Sequence, residues 1–146
     1  MDTEDRLLVA ETLARYGHVV DRGRLDRLDT VFTPDVVYDM SAVGLPVMQG
    51  VEALRSGALQ LGAHNPVAHH VTDVVIDSAT DDEAVVESKG FMITVEGTIR
   101  SVTHHDVVRR TADGWRIASR TILPQTVPLG GLLSASSAPR PEPADD

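Results

Sequence analysis

The chain has 146 residues, of which 42% are hydrophobic and 24% charged, values that are ordinary for a single globular domain. The formal net charge of −9 and the lack of a lysine- or arginine-rich run argue against a nucleic-acid partner, and the absence of cysteine excludes disulfides, thiolate catalysis and cysteine-ligated zinc. Because the N-terminus is acidic and no apolar run is long enough to span a membrane, we expect no signal peptide, no membrane association and a cytoplasmic location.

Hydrophobic periodicity predicts helices in the N-terminal half of the chain. Residues 4–21 repeat apolar side chains at helical spacing and carry acidic residues in the first turn, where the helix dipole favours them. A short second helix is predicted over 25–32 and a third over 51–61. A short strand over 36–40 lies between them, and 44–50 is expected to be a loop.

Four β-branched runs, each bounded by turn residues, predict strands in the C-terminal half. These strands cover residues 69–77, 84–95, 98–110 and 115–123. Three N-terminal helices with one short strand, followed by a meander of long strands, predict an α+β fold whose helices pack into a curved, mostly antiparallel sheet. We expect residues 1–133 to form one domain and the Ser/Pro/Ala/Asp-rich residues 134–146 to be a disordered tail.

Two adjacent histidines, His69 and His70, open the first long strand. Neighbouring side chains of a strand point to opposite faces, so only one of the two can face the interior. Alternation does not choose between them, because each shares its parity with two β-branched apolar residues of the strand. The inward histidine would bring a group that titrates near neutrality to a pocket beneath the sheet.

The third long strand poses the same choice. Either His105 faces the pocket together with Thr103, or His104 does so together with Asp106. Adjacent histidines on a strand cannot both ligate one ion, so we predict no metal site. No glycine-rich phosphate loop or dinucleotide fingerprint occurs, so we predict no nucleotide cofactor.

The chain resembles the SnoaL-like group of the NTF2-like superfamily over about residues 4–123. The resemblance lies in the end of helix one and the residues after it, YGHVVDRGRLDRL at 16–28 and FTPDVVY at 32–38, and in the last hairpin, RRTADGWRI at 109–117. It implies a conical α+β barrel that pairs through the outer face of its sheet, and therefore a homo-oligomer, either a dimer or a trimer.

Within this superfamily, scytalone dehydratase and hexachlorocyclohexane dehydrochlorinase carry an aspartate after helix one and a histidine that opens the first long strand, used together as a base dyad. These positions match Asp21 and, by register, His70. The scytalone dehydratase register favours His105 as the inward residue of the third strand, whereas a ketosteroid isomerase register favours Asp106. The oxyanion-binding tyrosine of ketosteroid isomerase falls where Tyr16 stands.

The resemblance therefore implies a cofactor-free acid–base enzyme, a dehydratase-type lyase that acts on a small, apolar, cyclic substrate of polyketide or terpenoid type. A SnoaL-like cyclase or isomerase is the first alternative, and a non-catalytic small-molecule-binding protein is the second. The expected catalytic residues are Asp21, His70, His105 and Tyr16. The expected substrate-binding residues are Tyr38, Met40, Phe91 and Thr103.

Overall fold

The computed structural model describes residues 1–133, and the predicted disorder of 134–146 lies outside the described residues. Helix α1 spans Thr3–Asp21, and the side chain of Asp2 caps it by accepting from the backbone N–H of Asp5. Helix α2 spans Val51–Leu61. The helix predicted over 25–32 is wrong in type, because Leu25–Thr30 is a 3₁₀ helix. Its six residues would make fewer than two α-helical turns.

Six strands form one sheet. Their bounds are β1 Phe32–Asp39, β2 Met48–Gln49, β3 Ala68–Ala79, β4 Glu83–Ile93, β5 Ile99–Thr111 and β6 Gly114–Pro124. The four long strands are confirmed with ends that differ by one or two residues, whereas β1 is longer than predicted and β2 lies in the predicted loop. The strand order is β2-β1-β6-β5-β4-β3, and only the β1–β6 pair is parallel.

Helix α1 packs on the inner face of the sheet. Val9 and Leu13 are fully buried there, and near the helix start the carboxylate of Asp5 accepts from Trp115 Nε1 at 3.0 Å and from Arg110 Nη2 at 2.6 Å. These bonds tie the beginning of the helix to the β5–β6 hairpin. The end of α1 is thereby directed towards the beginning of β3, which is where the candidate site lies.

A β-bulge in β3 decides which side chains reach that site. The register with β4 shifts between residues 72 and 75, and Asp73 in the bulge has a positive φ of 53°. The inserted residue reverses the alternation, so that the residues facing inward are His69, Val71, Val74 and Ile76. This is why strict alternation left the choice between the two histidines undecided.

Candidate active site

A cavity of about 880 Å³ lies between the two helices and the inner face of the sheet. Its wall is mainly apolar, with Phe32, Met40, Met92 and Ile122 among its members. Its polar lining includes one side chain from each of α1, β1, β3 and β5, namely Tyr16, Tyr38, His69 and His104. Residues of α2, of the loops and of the beginning of β5 add further polar groups, among them Gln60, His64, Asn65, Glu96 and Arg100. A large apolar pocket with a few convergent polar groups is the usual form of a site for an apolar small molecule.

Asp21 and His69 form a closely bonded pair at the edge of this cavity. His69 Nδ1 lies 2.5 Å from Asp21 Oδ1, and the backbone N–H of His69 donates to Asp21 Oδ2 at 2.8 Å. The two side chains are 20% and 15% exposed, Asp21 and His69 respectively. A carboxylate bonded to Nδ1 favours the tautomer that carries its hydrogen there, which leaves Nε2 free to accept a proton.

Gly17 allows this pair to form. A Cβ atom at Gly17 would clash with the backbone oxygen of His69, so no other residue lets α1 approach β3 so closely without a shift. Asp21 lies one helical turn further on and thus reaches the first inward residue of the strand. The proximity of two residues 48 positions apart therefore depends on a helix–strand contact that has no room for a side chain.

The expected pairing of Asp21 with His70 is not formed, and this is a correction to the register drawn from the resemblance. His70 is exposed and stacks on Phe91, with ring centroids 4.6 Å apart and planes inclined by 16°. Because His70 is paired across the ladder with Phe91, both belong to the outer-face set, at the rim of the cavity. The histidine on the inner face is His69.

The preference for His105 is corrected in the same way. His104 faces the cavity and is 6% exposed, with Nδ1 3.4 Å from Ser88 Oγ. Burial, assisted by the positive charge of Arg120, lowers the pKa of His104 to about 2, so its imidazole is neutral at physiological pH. His105 is half-exposed on the outer face, with Nδ1 3.4 Å from Glu87 Oε2.

The expected substrate-binding residues divide between the two faces. Tyr38 and Met40 line the cavity, and their role in substrate binding stays a prediction. Thr103 does not, because its position places it on the outer face with His105, where its hydroxyl donates to Gln125 Oε1 at 2.6 Å.

Two tyrosines meet at the cavity wall beside the Asp21–His69 pair. The hydroxyls of Tyr16 and Tyr38 lie 3.4 Å apart, and the Tyr16 ring stands edge-on to His69 with centroids separated by 5.3 Å. Burial raises the pKa of both phenols, so both remain protonated and able to donate at neutral pH. Tyr16 therefore lies next to the Asp21–His69 pair.

A buried ion pair behind the tyrosines was not predicted from the sequence. Arg120 Nε and Nη2 donate to the two oxygens of Asp106, each at 2.7 Å, and both side chains are fully buried. Burial opposes the charge of Arg120, but the Asp106 carboxylate raises the pKa of the guanidinium above its ordinary value. Strict alternation would place Arg120 with Arg116, and the register shift between residues 117 and 119 of β6 brings it instead to the buried face of Trp115 and Ile117.

The arrangement as a whole combines a carboxylate-bonded imidazole, a neutral imidazole and two phenols around an apolar cavity. Such groups can remove a proton from carbon or oxygen and donate hydrogen bonds to the oxygen on which charge develops. Among residues 1–133, no three histidine, aspartate or glutamate side chains have a geometry suited to a metal ion. Within the same residues, no helix has both the length and the apolar character needed to cross a bilayer.

The curved six-stranded sheet and the cavity on its inner face define a protein of the NTF2-like class. The chain belongs to the SnoaL-like domain family, whose model matches residues 1–121. It is similar to the uncharacterized protein Rv2910c of Mycobacterium tuberculosis, with 28% identity over 129 residues, 82% of this chain and 84% of the relative.

Solved structures agree with that class. A Novosphingobium aromaticivorans protein assigned as an aromatic ring hydroxylase is 26% identical, with a TM-score of 0.73 over 87% of this chain and 93% of its own. A second protein of that organism, assigned as a scytalone dehydratase, is 18% identical, with a TM-score of 0.69 over 86% of this chain and 89% of its own. The second likeness concerns the fold alone.

Proposed function

We propose that this protein is a cofactor-free general acid–base enzyme that carries out a dehydratase-type elimination on a small, apolar, cyclic molecule. The observation that carries the proposal is the Asp21–His69 pair, bonded at 2.5 Å and open to an apolar cavity of about 880 Å³. A carboxylate-oriented imidazole at the wall of such a cavity is suited to removing a proton from a bound guest. The aromatic-ring assignment of the 26% identical neighbour supports a cyclic ligand.

In the proposed reaction, His69 Nε2 accepts a proton from a carbon of the substrate. The electron pair of that C–H bond forms a carbon–carbon double bond, and the neighbouring carbon–oxygen bond breaks. The departing hydroxyl takes up the proton that His69 had removed and leaves as water. His104 and Tyr16 lie within the same cavity as His69 and act as donors to the oxygen that gains charge.

The first alternative, a cyclase or isomerase, uses the same proton abstraction but returns the proton to another carbon or closes a ring. Tyr16 beside His69 favours this alternative, because a phenol next to the base can hold an enolate oxygen while the carbon is reprotonated. A non-catalytic binder would use the same polar groups only for orientation. Product analysis separates the three.

The test is turnover of a panel of cyclic alcohols and cyclic ketones, followed by absorbance of the new double bond and by mass change. Asp21→Asn and His69→Gln should each lower turnover by roughly 10²–10⁴-fold, the range of a general acid–base step. The matched control is His70→Gln, which removes the neighbouring outward histidine and should leave turnover unchanged.

Full turnover in both dyad variants, with folding verified by circular dichroism, would contradict the proposal. A mass-neutral product would indicate the isomerase or cyclase. Tight binding across the panel without any product would indicate the binder.

We also propose, as the resemblance implies, that the protein is a homo-oligomer joined through the outer face of the sheet. Val75, Val85 and Leu123 support this, because each is a large apolar residue exposed on a β-strand. Sedimentation equilibrium would contradict the proposal if the chain remained monomeric at micromolar concentration. Val85→Glu is the variant expected to weaken the assembly.

A further inference from the structure

We propose that Arg100, at the rim of the cavity, binds a carboxylate of the ligand and thereby sets the position of the ligand relative to His69. This inference rests on the proposed function and specifies its substrate as a small cyclic acid, in which one carboxylate is attached to an otherwise apolar ring. It assigns Arg100 as a specificity-determining residue, because Arg100 contacts the substrate away from the reacting atoms.

Arg100 belongs to a row of cavity-lining residues that crosses three strands. In the ladder, His69 of β3 is paired with Met92 of β4, and Met92 is paired with Arg100 of β5. All three residues line the cavity. Neighbouring strands lie about 4.8 Å apart, so the backbones of His69 and Arg100 are separated by roughly 10 Å. A ring that lies over Met92 can therefore reach the base at one end and the guanidinium at the other.

The charges of the cavity lining single out Arg100. Among residues 1–133 it is the one arginine or lysine that lines the cavity, since Arg120 does not line it. Glu96, in the turn before β5, is the one carboxylate of the lining within the same residues. The ion pairs formed among residues 1–133 do not include Arg100, so Glu96 does not neutralise it there. The guanidinium is thus available to an acid that enters the cavity.

The β4–β5 hairpin that carries Arg100 is held by bonds of its own. Thr94 Oγ1 and Thr98 Oγ1 lie 2.7 Å apart, and the backbone N–H of Thr94 donates to the backbone oxygen of Thr98 at 2.9 Å. These bonds fix the backbone on both sides of the turn. Only the arginine side chain has to be ordered when a ligand binds, which limits the entropic cost of binding.

A single carboxylate suits these surroundings better than a phosphate. The planar guanidinium presents its N–H donors as a fork that matches the two oxygens of a carboxylate. A phosphate monoester carries nearly two negative charges, and the second charge would be opposed by Glu96 and by the net charge of −9 of the whole chain. The apolar lining around Arg100, with Met92 and Val102, would take the ring.

The experiment compares the binding of 2-naphthoate with that of 2-naphthamide, which has nearly the same shape and no charge, to the full chain at low ionic strength. In the parent protein the acid should bind roughly five- to tenfold more tightly than the amide, a ratio between those of an exposed ion pair and of a hydrogen bond to a buried charge. Arg100→Gln should abolish this preference and leave the affinity for the amide unchanged. Arg100→Lys keeps the charge without the fork and should retain part of the preference.

The matched control is Arg109→Gln, which removes an equal charge from the same strand. Arg109 is half-exposed on the outer face of the sheet, beside Glu83 and outside the cavity lining. The preference for the acid should persist in this variant and should weaken in the parent protein when salt is added. Retained binding of the amide in every variant verifies that the cavity is intact.

Each other outcome would overturn the assignment. Equal affinities for acid and amide in the parent protein would do so, as would failure of both to bind or a preference that survives in Arg100→Gln. Loss of the preference in His69→Gln alone would place the carboxylate at the dyad. The assay measures binding without turnover, so the carboxylate site can be demonstrated where no elimination occurs, and elimination from a neutral substrate can occur where the carboxylate site fails.

Discussion

The two faces of the sheet carry the same types of residue in very different surroundings. On the inner face, His69 is bonded to a carboxylate at 2.5 Å, and His104 is buried and held neutral. On the outer face, their immediate neighbours His70 and His105 are exposed, one stacked on a phenylalanine and the other 3.4 Å from a glutamate. The chemistry of an imidazole in this protein is therefore set by which face its strand position selects.

The largest expected contrast concerns the ion pairs of the two faces. Arg120→Met should destabilise the protein by about 3–5 kcal/mol, because it leaves the Asp106 carboxylate buried without a partner. Arg109→Met removes the outer-face partner of Glu83, a half-exposed pair at 3.5 Å, and should cost less than about 1 kcal/mol. Urea denaturation of both variants measures the difference. Equal losses of unfolding free energy in the two variants would show that burial does not make the Arg120–Asp106 pair more important for stability than the exposed pair.

A second contrast uses adjacent positions of β4. A Cβ at Gly90 would lie 2.5 Å from His104 Cε1, so Gly90→Ala should force the imidazole to move and cost about 1–3 kcal/mol. Lys89→Ala changes the exposed neighbouring residue and should have little effect on stability. The displacement is measured as a change in the His104 ring resonances in NMR spectra. Unchanged resonances in the Gly90 variant would contradict the close packing inferred for the ring.

Most of the fold could be predicted from the sequence, because local signals agree with one another there. The long strands β3 to β6 are β-branched runs between turn residues, and their predicted and observed ends differ by only one or two residues. The second helix was assigned the wrong type, because apolar spacing alone does not distinguish six residues of 3₁₀ helix from a short α-helix. Asp21 was identified correctly as the carboxylate that bonds a strand histidine, but the histidine was not.

The choice of His69 over His70 was missed because the strict alternation of side chains along a strand does not account for a bulge. Val71 and Val74 both face inward, and this spacing of three is possible only because Asp73 forms a bulge. A register taken from distant relatives carries no information about a bulge and can select the wrong neighbour. The Arg120–Asp106 pair was missed for another reason, because an ion pair between strands depends on side-chain geometry that one sequence does not show.

The third contrast is a pH dependence of stability. His104 has a folded pKa of about 2, whereas an unfolded histidine titrates near 6.5, so the unfolded chain binds the extra proton first as pH falls. The neutral His104 therefore contributes to the free energy of unfolding. This contribution is complete above about pH 6.5 and is lost progressively between that value and pH 2, by at most about 1.4 kcal/mol per pH unit. Asp5, with a pKa of about 2, loses its contribution only below about pH 3.8.

Denaturation between about pH 4.5 and 6.5 therefore separates the effect of His104 from that of Asp5. His104→Gln should flatten the dependence of unfolding free energy on pH, since the amide does not titrate. His105→Gln, which changes the exposed neighbour, should leave the slope of the parent protein intact. The charged and titratable groups that act on His104 are Arg120, His69 and His105. A steep slope that survives in the His104 variant would assign the acid sensitivity to another group.

The smallest effect is expected at the outward histidine that opens β3. His70→Ala removes a ring stacked on Phe91 at the rim of the cavity and should cost about 0.5–1 kcal/mol, the usual range for an aromatic pair that is partly exposed. Thr72→Ala, two residues further along the outer face, provides the matched control for a change at an exposed strand position. If the protein is the proposed enzyme, turnover should stay within about twofold of the parent in both variants, because in the described residues neither side chain is hydrogen-bonded to Asp21 or His69. A tenfold loss in the His70 variant alone would show that turnover depends on the outward histidine at the rim of the cavity, and it would contradict the prediction.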